Sequence, residues 1–235
     1  MRPQMQTIAV IDFETTGSSP AQGARATEIA AVLVQDGRIV DQYQSLMNSG
    51  AWVPPFIEQL TGISNAMLAD APPAEEVMRQ VLKFTQGMPL VAHNAAFDRG
   101  FWRAEAERAG CETDPAHDFA CTVRLSRRLH PQAPNHRLGT LAHWHRLPVN
   151  GRAHRALADA STTAHLLLLI QHEVARRLGH AVDHQLLCGL QATPVAQLER
   201  YLERLRSRAA AGSRAPDGTA PCLNPALAHN PAAPS

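Results

Sequence analysis

The dipeptide Asp36-Gly37 lies between two apolar, strand-like segments at 28–34 and 38–46, and it constrains the fold more than any other feature of this 235-residue chain. Asp-Gly favours a two-residue turn between antiparallel strands, so these segments predict a β-hairpin. Two shorter apolar runs, 7–11 and 89–92, are typical of buried strands, and the second leads into a helical pattern. Strands followed by a helix–strand–helix alternation predict an α/β domain with a mixed sheet.

Helical periodicity continues through most of the remaining chain. We predict a short helix closed by Gly62 and further helices at 74–86, 95–109, 120–129, 137–145, 155–178 and 194–208. The main domain is then expected at 6–180 and a C-terminal helical extension at 181–206. The segment 207–235 is more than half Ala, Pro and Gly, so it cannot bury enough surface to offset the entropy lost on ordering, and we predict a disordered tail.

Composition excludes several classes of protein. Lys and Arg total 22 against 21 Asp and Glu, a net charge of +1, so a histone-like or polybasic membrane protein is excluded. No apolar run is long enough to predict a membrane span. The four cysteines form no CxxC pair, which argues against a cysteine-based zinc site or a disulfide framework and fits a reducing cytoplasm. Neither GxGxxG nor a P-loop motif occurs, which excludes a dinucleotide site after the first strand.

Acidic residues lie at the end of one predicted strand and at the start of two predicted helices. Asp12 and Glu14 end the first strand at i and i+2, so both side chains point to one face of the sheet. Asp98 lies in the first turn of a helix, and Asp159 lies among small and apolar residues at the start of another. His154 precedes that last helix. Taken singly, each has an ordinary structural explanation, such as an exposed acid or an acid near a helix dipole.

Together these acids predict a cation site if the fold brings them to one place. At roughly 4 Å and an effective dielectric constant near 20, each pair of like charges costs about 4 kcal/mol. Such a cluster is stable only if carboxyl groups are protonated or divalent cations lie between them. Oxygen ligands favour magnesium or manganese over zinc, and two such ions about 4 Å apart suit in-line attack on a phosphodiester.

The three acidic segments resemble the motifs of the DEDD exonucleases, a family with the ribonuclease H-like fold. Segment 12–17 (DFETTG) resembles the first motif, 93–98 (HNAAFD) the second and 154–159 (HRALAD) the third, in the same order along the chain. One branch has a tyrosine four residues before the last aspartate, where this chain has Arg155. The other has a histidine five residues before it, which is His154, so the chain is similar to the DEDDh branch and its bacterial proofreading exonucleases. The resemblance implies a three-layer α/β fold with a mixed central sheet flanked by helices.

The resemblance also implies roles for these residues in a 3′→5′ exonuclease that uses two Mg²⁺ or Mn²⁺ ions and releases nucleoside 5′-monophosphates. Asp12 would bridge both ions, Glu14 and Asp159 would hold the catalytic ion, and His154 would be the general base. Asp98 would hold the second ion through water. The residues implied in substrate binding are Thr15, Thr16, Gly17, Thr61, Ile63 and Asn94. A core position is the alternative for Ile63, an N-cap role is expected of Asn94, and Phe97 and Phe101 are predicted in the core.

Basic residues are concentrated before the third motif. No carboxylate lies between Asp118 and Asp159, while seven arginines do: Arg124, Arg127, Arg128, Arg137, Arg146, Arg152 and Arg155. A basic stripe beside an acidic metal site suits a polyphosphate strand, and solvated helix faces are the alternative interpretation. No aromatic residues alternate with these arginines as in a stacking platform, so contacts mainly with the nucleic-acid backbone are expected.

The first and second motifs are more similar to the DNA proofreading type, so the resemblance implies a DNA substrate, at single-stranded 3′ ends, in proofreading or repair. An RNA-trimming or oligoribonucleotide-degrading exonuclease of the same branch is the alternative, because recognition of the 2′-hydroxyl depends on pocket geometry. A non-enzymatic module that binds partners would be favoured by loss of one acid or of the histidine, but all five are present. In the tail, 222–227 is interpreted as a linker, with a docking peptide for a DNA polymerase or sliding clamp as the alternative.

Overall fold

A five-stranded mixed sheet forms the centre of the protein, whose computed structural model describes residues 6–113 and 119–212. The strands are β1 (Ile8–Thr15), β2 (Ala26–Gln35), β3 (Arg38–Leu46), β4 (Leu90–Ala92) and β5 (Ala120–Cys121). Their order is β3-β2-β1-β4-β5, with antiparallel pairing in β1/β2 and β2/β3 and parallel pairing in β1/β4 and β4/β5. The predicted α/β architecture with a mixed sheet is confirmed.

Helices connect and cover these strands. In the described part of the chain they are α1 (Pro55–Thr61), α2 (Asn65–Ala69), α3 (Ala74–Phe84), α4 (Ala95–Arg108), α5 (Thr122–Leu129), α6 (Leu138–His145), α7 (Ala156–Leu178), α8 (His184–Ala192) and α9 (Leu198–Gly212). None of the described helices is long and apolar enough to cross a membrane.

The predicted hairpin joins β2 to β3. Asp36 and Gly37 have φ angles of 49° and 79°, and two positive φ angles are what a type I′ turn requires. Nine of the ten residues of β2 are buried, whereas β3 is mostly exposed at the sheet edge. The turn therefore brings β2 and β3 into antiparallel pairing, and β2 lies between β1 and β3 in the sheet.

Alternate residues of the central strands pack against helices on opposite faces of the sheet. Val10 and Val32 lie in one core cluster with Leu167 of α7. Ile11 lies in a second cluster with Phe101 of α4. Because both faces of β1 are covered by helices, its first four residues are all apolar, and the fold has three layers.

Several elements differ from the sequence prediction. Residues 120 and 121 form β5 rather than the start of a helix, and α2 and α8 lie where no individual helix is predicted. The last helix, α9, continues to Gly212, six residues into the segment 207–235 that we predict to be disordered, and the rest of that segment lies outside the described residues. Leu187 of α8 and Leu202 of α9 belong to the same core cluster as α7, so the extension packs onto the main domain.

Candidate active site

Asp12 and Glu14 lie on β1, next to the point where its pairing with β2 shifts. Asp12 is opposite Ala30 and Glu14 is opposite Glu28, and the register shifts between Glu14 and Thr15. Strand alternation therefore places both carboxylates on the face of the sheet that α7 covers. Glu14 is 8% exposed, so this acid is largely shielded from solvent.

Asp98 reaches the same strand from the first turn of α4. Its Oδ1 accepts a hydrogen bond from the backbone N–H of Phe13 at 3.2 Å, and its side chain is 2% exposed. Phe13 lies between Asp12 and Glu14, so this bond fixes Asp98 beside both acids. Asn94 lies at the N-cap of α4, but its φ is 64° and its side chain makes no capping hydrogen bond, which corrects the predicted capping role. Asparagine is one of the few residues that adopt this left-handed conformation at low cost.

Asp159 and His154 approach from the start of α7. The backbone N–H of His154 donates to Asp159 Oδ2 at 3.1 Å, and His154 has a φ of 61°. Ligand atoms of Glu14, His154 and Asp159 all lie within 4.8 Å of one another. Residues with a side chain rarely adopt such a φ, so the surrounding contacts maintain a strained backbone at this point. The His154 side chain is exposed, and it can therefore reach solvent and a ligand.

Burial and neighbouring carboxyl groups raise the pKa values of the acids at this site. Burial, and then the neighbouring Asp98 and Glu14, hold the pKa of Asp12 well above its usual range. Burial and the neighbouring Asp159 raise the pKa of Glu14 to about 8. Burial also raises the pKa of Asp98 to about 8 and raises that of Asp159, against hydrogen bonds from the backbone. The four sequence-predicted acids are thus close enough for their negative charges to repel one another. Bound cations would reduce this repulsion.

Metal-free protein is expected to lose stability as the pH rises from about 5 to about 8. Glu14 and Asp98 have pKa values of about 8 in the folded chain, against about 4 when unfolded. A raised folded pKa stabilises the fold fully below the unfolded value, and this contribution is lost as the pH approaches the folded value. Melting temperatures in chelator should be about 5 °C or more lower at the higher pH. A melting temperature that stays constant or rises over this range would contradict the prediction.

A fifth carboxylate, Glu28, lies beside these acids and escapes the sequence analysis. It is completely buried, yet it accepts hydrogen bonds from Arg155 Nη2 at 2.7 Å, Gln44 Nε2 at 2.7 Å and the Ala156 N–H at 3.0 Å. Burial by itself would raise the pKa of Glu28, but these hydrogen bonds, that of Arg155 first, outweigh it and lower the pKa. The signal in the sequence is an acid inside the otherwise apolar strand run, which requires a partner.

The Glu28–Arg155 ion pair joins β2 to the start of α7. Because Arg155 immediately follows His154, the pair fixes the segment that carries both His154 and Asp159. Arg155 also lowers the pKa of Glu14, against the larger effects of burial and of its acidic neighbours. The arginine therefore acts on the site through contacts inside the protein, since its Nε and Nη2 bind Glu28, whereas the basic-stripe interpretation expects it to face a nucleic acid.

Removing this arginine alone is expected to destabilise the fold. The Arg155→Met substitution leaves Glu28 buried without its counter-ion, and a loss of about 3 kcal/mol is expected, at the low end of the usual range because the arginine side chain is 32% exposed. Adding Glu28→Gln removes the unpaired charge and should restore much of the loss. Urea denaturation measures both, with Arg124→Met at an exposed arginine as control. Equal losses in the single and double variants would contradict the pairing.

A cleft of about 710 Å³ opens beside the acids. Its lining includes Asp12, Glu14, Thr15, Thr16, Gly17, His154 and Asp159, together with Phe56, Leu60 and Thr61 of α1 and Phe97 of α4. Phe56 is 66% exposed, an aromatic side chain at the site that the sequence analysis missed. Phe101 is fully buried as predicted, and Phe97 packs against the same core cluster, but Phe97 is only partly buried and also lines the cleft.

Ile63 lies away from this cleft. Its side chain is completely buried in a small core cluster with Val53, Ile57 and Leu68, and it is not among the lining residues of the described chain. The alternative core interpretation therefore fits Ile63 better than contact with a terminal base. Thr61 does line the cleft, but its hydroxyl donates to the Ile57 carbonyl at 2.9 Å and accepts from the Ile63 N–H at 3.1 Å. These bonds hold the turn that ends α1.

A second, larger groove meets the cleft at His154 and Asp159, which line both. It has a volume of about 1490 Å³ and runs between the starts of α4 and α7, α5 and α6. Of the seven arginines in the predicted stripe, Arg127, Arg137 and Arg146 line it. Among its lining residues in the described chain, Asp159 is the only carboxylate.

Two other arginines of the stripe are bound to backbone carbonyls. Arg128 Nε donates to the Thr193 carbonyl at 2.6 Å. Arg152 Nη2 donates to the Gln59 carbonyl at 3.0 Å, so it links the segment before His154 to the end of α1. The folded chain thus divides the stripe into arginines that hold protein segments together and arginines that face a groove.

The three-layer fold, with acids from β1, α4 and α7 gathered at the end of β1, defines an α/β protein of the ribonuclease H-like exonuclease class. Residues 9–167 match the exonuclease family RNase_T, and the chain belongs to this family. It is 38% identical over 181 residues to the 3′-5′ exonuclease DinG of Bacillus subtilis, covering 77% of this chain and 19% of that protein. It is 37% identical over 161 residues to the PolC-type DNA polymerase III of Caldanaerobacter subterraneus, covering 68% of this chain and 11% of the polymerase. The chain thus spans a fifth or less of these relatives.

A solved structure shows the same similarity. Exonuclease X in complex with 5′ overhanging duplex DNA aligns with a TM-score of 0.56 and 31% identity, covering 71% of this chain and 92% of that one. The DEDDh resemblance and the ribonuclease H-like fold expected from the motifs are confirmed. The role of each acid and of His154 stays a prediction.

Proposed function

We propose that this chain is a divalent-metal-dependent 3′→5′ exonuclease that acts on DNA in proofreading or repair and releases nucleoside 5′-monophosphates. The observation that carries the proposal is the convergence of Asp12, Glu14, Asp98, Asp159 and His154 at the junction of a cleft and a basic groove. The similarity to the exonuclease domains of DinG and PolC-type proteins supports the reaction and the DNA substrate. A non-enzymatic binding module has no corresponding support.

The donor atoms of the site fit magnesium or manganese. Four carboxylates and one exposed histidine supply mostly oxygen ligands, which hard divalent cations prefer. The raised pKa values of Asp12, Glu14, Asp98 and Asp159 indicate a cluster whose charges require compensation. Asp12, Glu14 and Asp159 would hold the catalytic ion, with Asp12 shared and Asp98 supporting the second. When bound, the two ions activate the attacking water and stabilise the charge on the leaving oxygen.

His154 would take the proton of the attacking water. Its ring is exposed at the edge of the cleft, and its backbone N–H is fixed by Asp159. The Glu28–Arg155 pair holds the following residue, so the histidine is anchored on both sides of its strained backbone. A general base positioned in this way contributes about 100-fold or more to turnover.

The cleft and the groove suit different parts of one nucleic-acid strand. Phe56, Leu60 and Phe97 offer apolar contact to the terminal base, beside the Thr15–Gly17 backbone. The larger groove, with Arg127, Arg137 and Arg146, suits the phosphates of the preceding nucleotides. The scissile phosphate would then lie between them, at His154 and Asp159. Because the arginines contact phosphates rather than base edges, cleavage should depend little on sequence.

Digestion of end-labelled oligonucleotides tests the proposed function. We expect a 3′→5′ ladder on single-stranded DNA in magnesium, no products in chelator, and recovery when magnesium or manganese is added, with zinc a poor substitute. A matched RNA oligonucleotide in the same assay distinguishes the DNA enzyme from the RNA-trimming alternative. Products that form in chelator would contradict metal dependence, and absence of products from both substrates in magnesium would overturn the proposed activity.

A further inference from the structure

A second cluster of potential ligands lies away from the acids, where α5, α6 and α7 meet. It consists of His130 after α5, His145 at the end of α6 and Glu173 of α7, whose ligand atoms all lie within 4.8 Å of one another. Asp159 and Glu173 are separated by about 21 Å along α7, at 1.5 Å per residue. The cluster is thus distinct from the catalytic acids.

The three side chains form a chain of short polar contacts. His130 Nε2 is 2.6 Å from Glu173 Oε2, and His130 Nδ1 is 3.2 Å from His145 Nε2. His130 is 3% exposed, while Glu173 and His145 are partly exposed, so the cluster is open to solvent on one side. When the Glu173 carboxylate accepts the Nε2 proton of His130, Nδ1 of that ring presents a lone pair to His145.

This geometry fits one cation between the two imidazole rings. An ion about 2.1 Å from each of two nitrogens separated by 3.2 Å gives a nitrogen–ion–nitrogen angle of about 100°, close to tetrahedral. A carboxylate that accepts the other ring proton is the arrangement found behind zinc-bound histidines, where it orients the ring and raises its basicity. Imidazole ligands select zinc and similar transition metals over magnesium.

We propose that His130 Nδ1 and His145 Nε2 bind a Zn²⁺ ion, with Glu173 orienting His130 and supplying negative charge. The ion would tie the end of α6 and the segment after α5 to α7. That segment contains Arg137, and Arg146 directly follows α6, so zinc would stiffen one wall of the basic groove that both arginines line. The donor set differs from that of the catalytic acids, and the site stands whether or not the proposed nuclease activity does.

Zinc titration of the full chain tests the proposal. The Asp12→Asn/Asp159→Asn double variant is used as background, because it weakens metal binding at the catalytic acids. Calorimetry with ZnCl₂ should give one zinc per chain in this background, magnesium should not compete, and zinc should raise the melting temperature. Adding His145→Ala should abolish both effects, and Glu173→Gln should weaken zinc binding about 10- to 100-fold.

His143→Ala is the matched control, because His143 is an exposed histidine two residues earlier on the same helix. His145 rather than the buried His130 is replaced so that the fold is retained, and circular dichroism of each variant checks this. Zinc binding that is unchanged by His145→Ala, or lost equally with His143→Ala, would overturn the proposal. Absence of zinc binding in the background variant, with its melting temperature unaltered by zinc, would show a proton-linked hydrogen-bond chain instead and also overturn it.

Discussion

Replacing Asp12 with asparagine is expected to lower exonuclease turnover about a thousandfold or more, while the metal-free protein becomes more stable. The substitution keeps the shape of the side chain but removes a negative charge from the site. Stabilisation by divalent ions is worth several kcal/mol in such reactions, and each 1.4 kcal/mol is tenfold in rate. Without metal, the same change removes a carboxyl group whose pKa is raised by burial and by Asp98 and Glu14, so the folded state loses repulsion.

Two measurements on Asp12→Asn separate the roles of charge and fold. Turnover on single-stranded DNA should fall, and the melting temperature in chelator at about pH 8 should rise. Asp70→Asn makes the same chemical change at an exposed residue after α2 and should leave both quantities unchanged. Wild-type turnover in Asp12→Asn would remove this residue from the metal site. A lower melting temperature would refute the repulsion among the acids.

The His154→Ala substitution is expected to reduce turnover about a hundredfold or more, as loss of a general base does. Alanine keeps a Cβ, so the backbone with a φ of 61° is strained to a similar degree in both proteins. The backbone N–H that donates to Asp159 also remains. The loss should therefore appear in kcat, with little change in KM or in melting temperature.

An exposed histidine on α7, His172, provides the control for this prediction. His172→Ala should retain wild-type kinetics, because its side chain lies outside the residues that line the cleft and groove in the described chain. A change of less than threefold in His154→Ala would remove His154 from the role of general base. A parallel fall in melting temperature would indicate a structural role instead.

Local patterns predict much of the fold because they depend on neighbouring residues. The Asp36-Gly37 turn, the two long strands, and helices α3, α4 and α7 lie at or within a few residues of their predicted positions. Short elements are less predictable: β5 has two residues, too few for a period-two pattern, and its parallel pairing with β4 comes from tertiary packing. The helix α8 escapes prediction because Gly189 and polar residues interrupt its apolar pattern.

The sequence by itself determined the exonuclease family and pointed to the candidate acids, because the motifs stand in short segments whose strand and helix periods set which side chains share a face. Only the tertiary structure decided which side chains are accessible to a ligand. It pairs Arg155 with Glu28, buries Ile63, exposes Phe97 to the cleft and directs Arg127, Arg137 and Arg146 to the groove. These outcomes depend on contacts between residues far apart in the chain, and burial and ion pairing are set by such contacts rather than by local sequence.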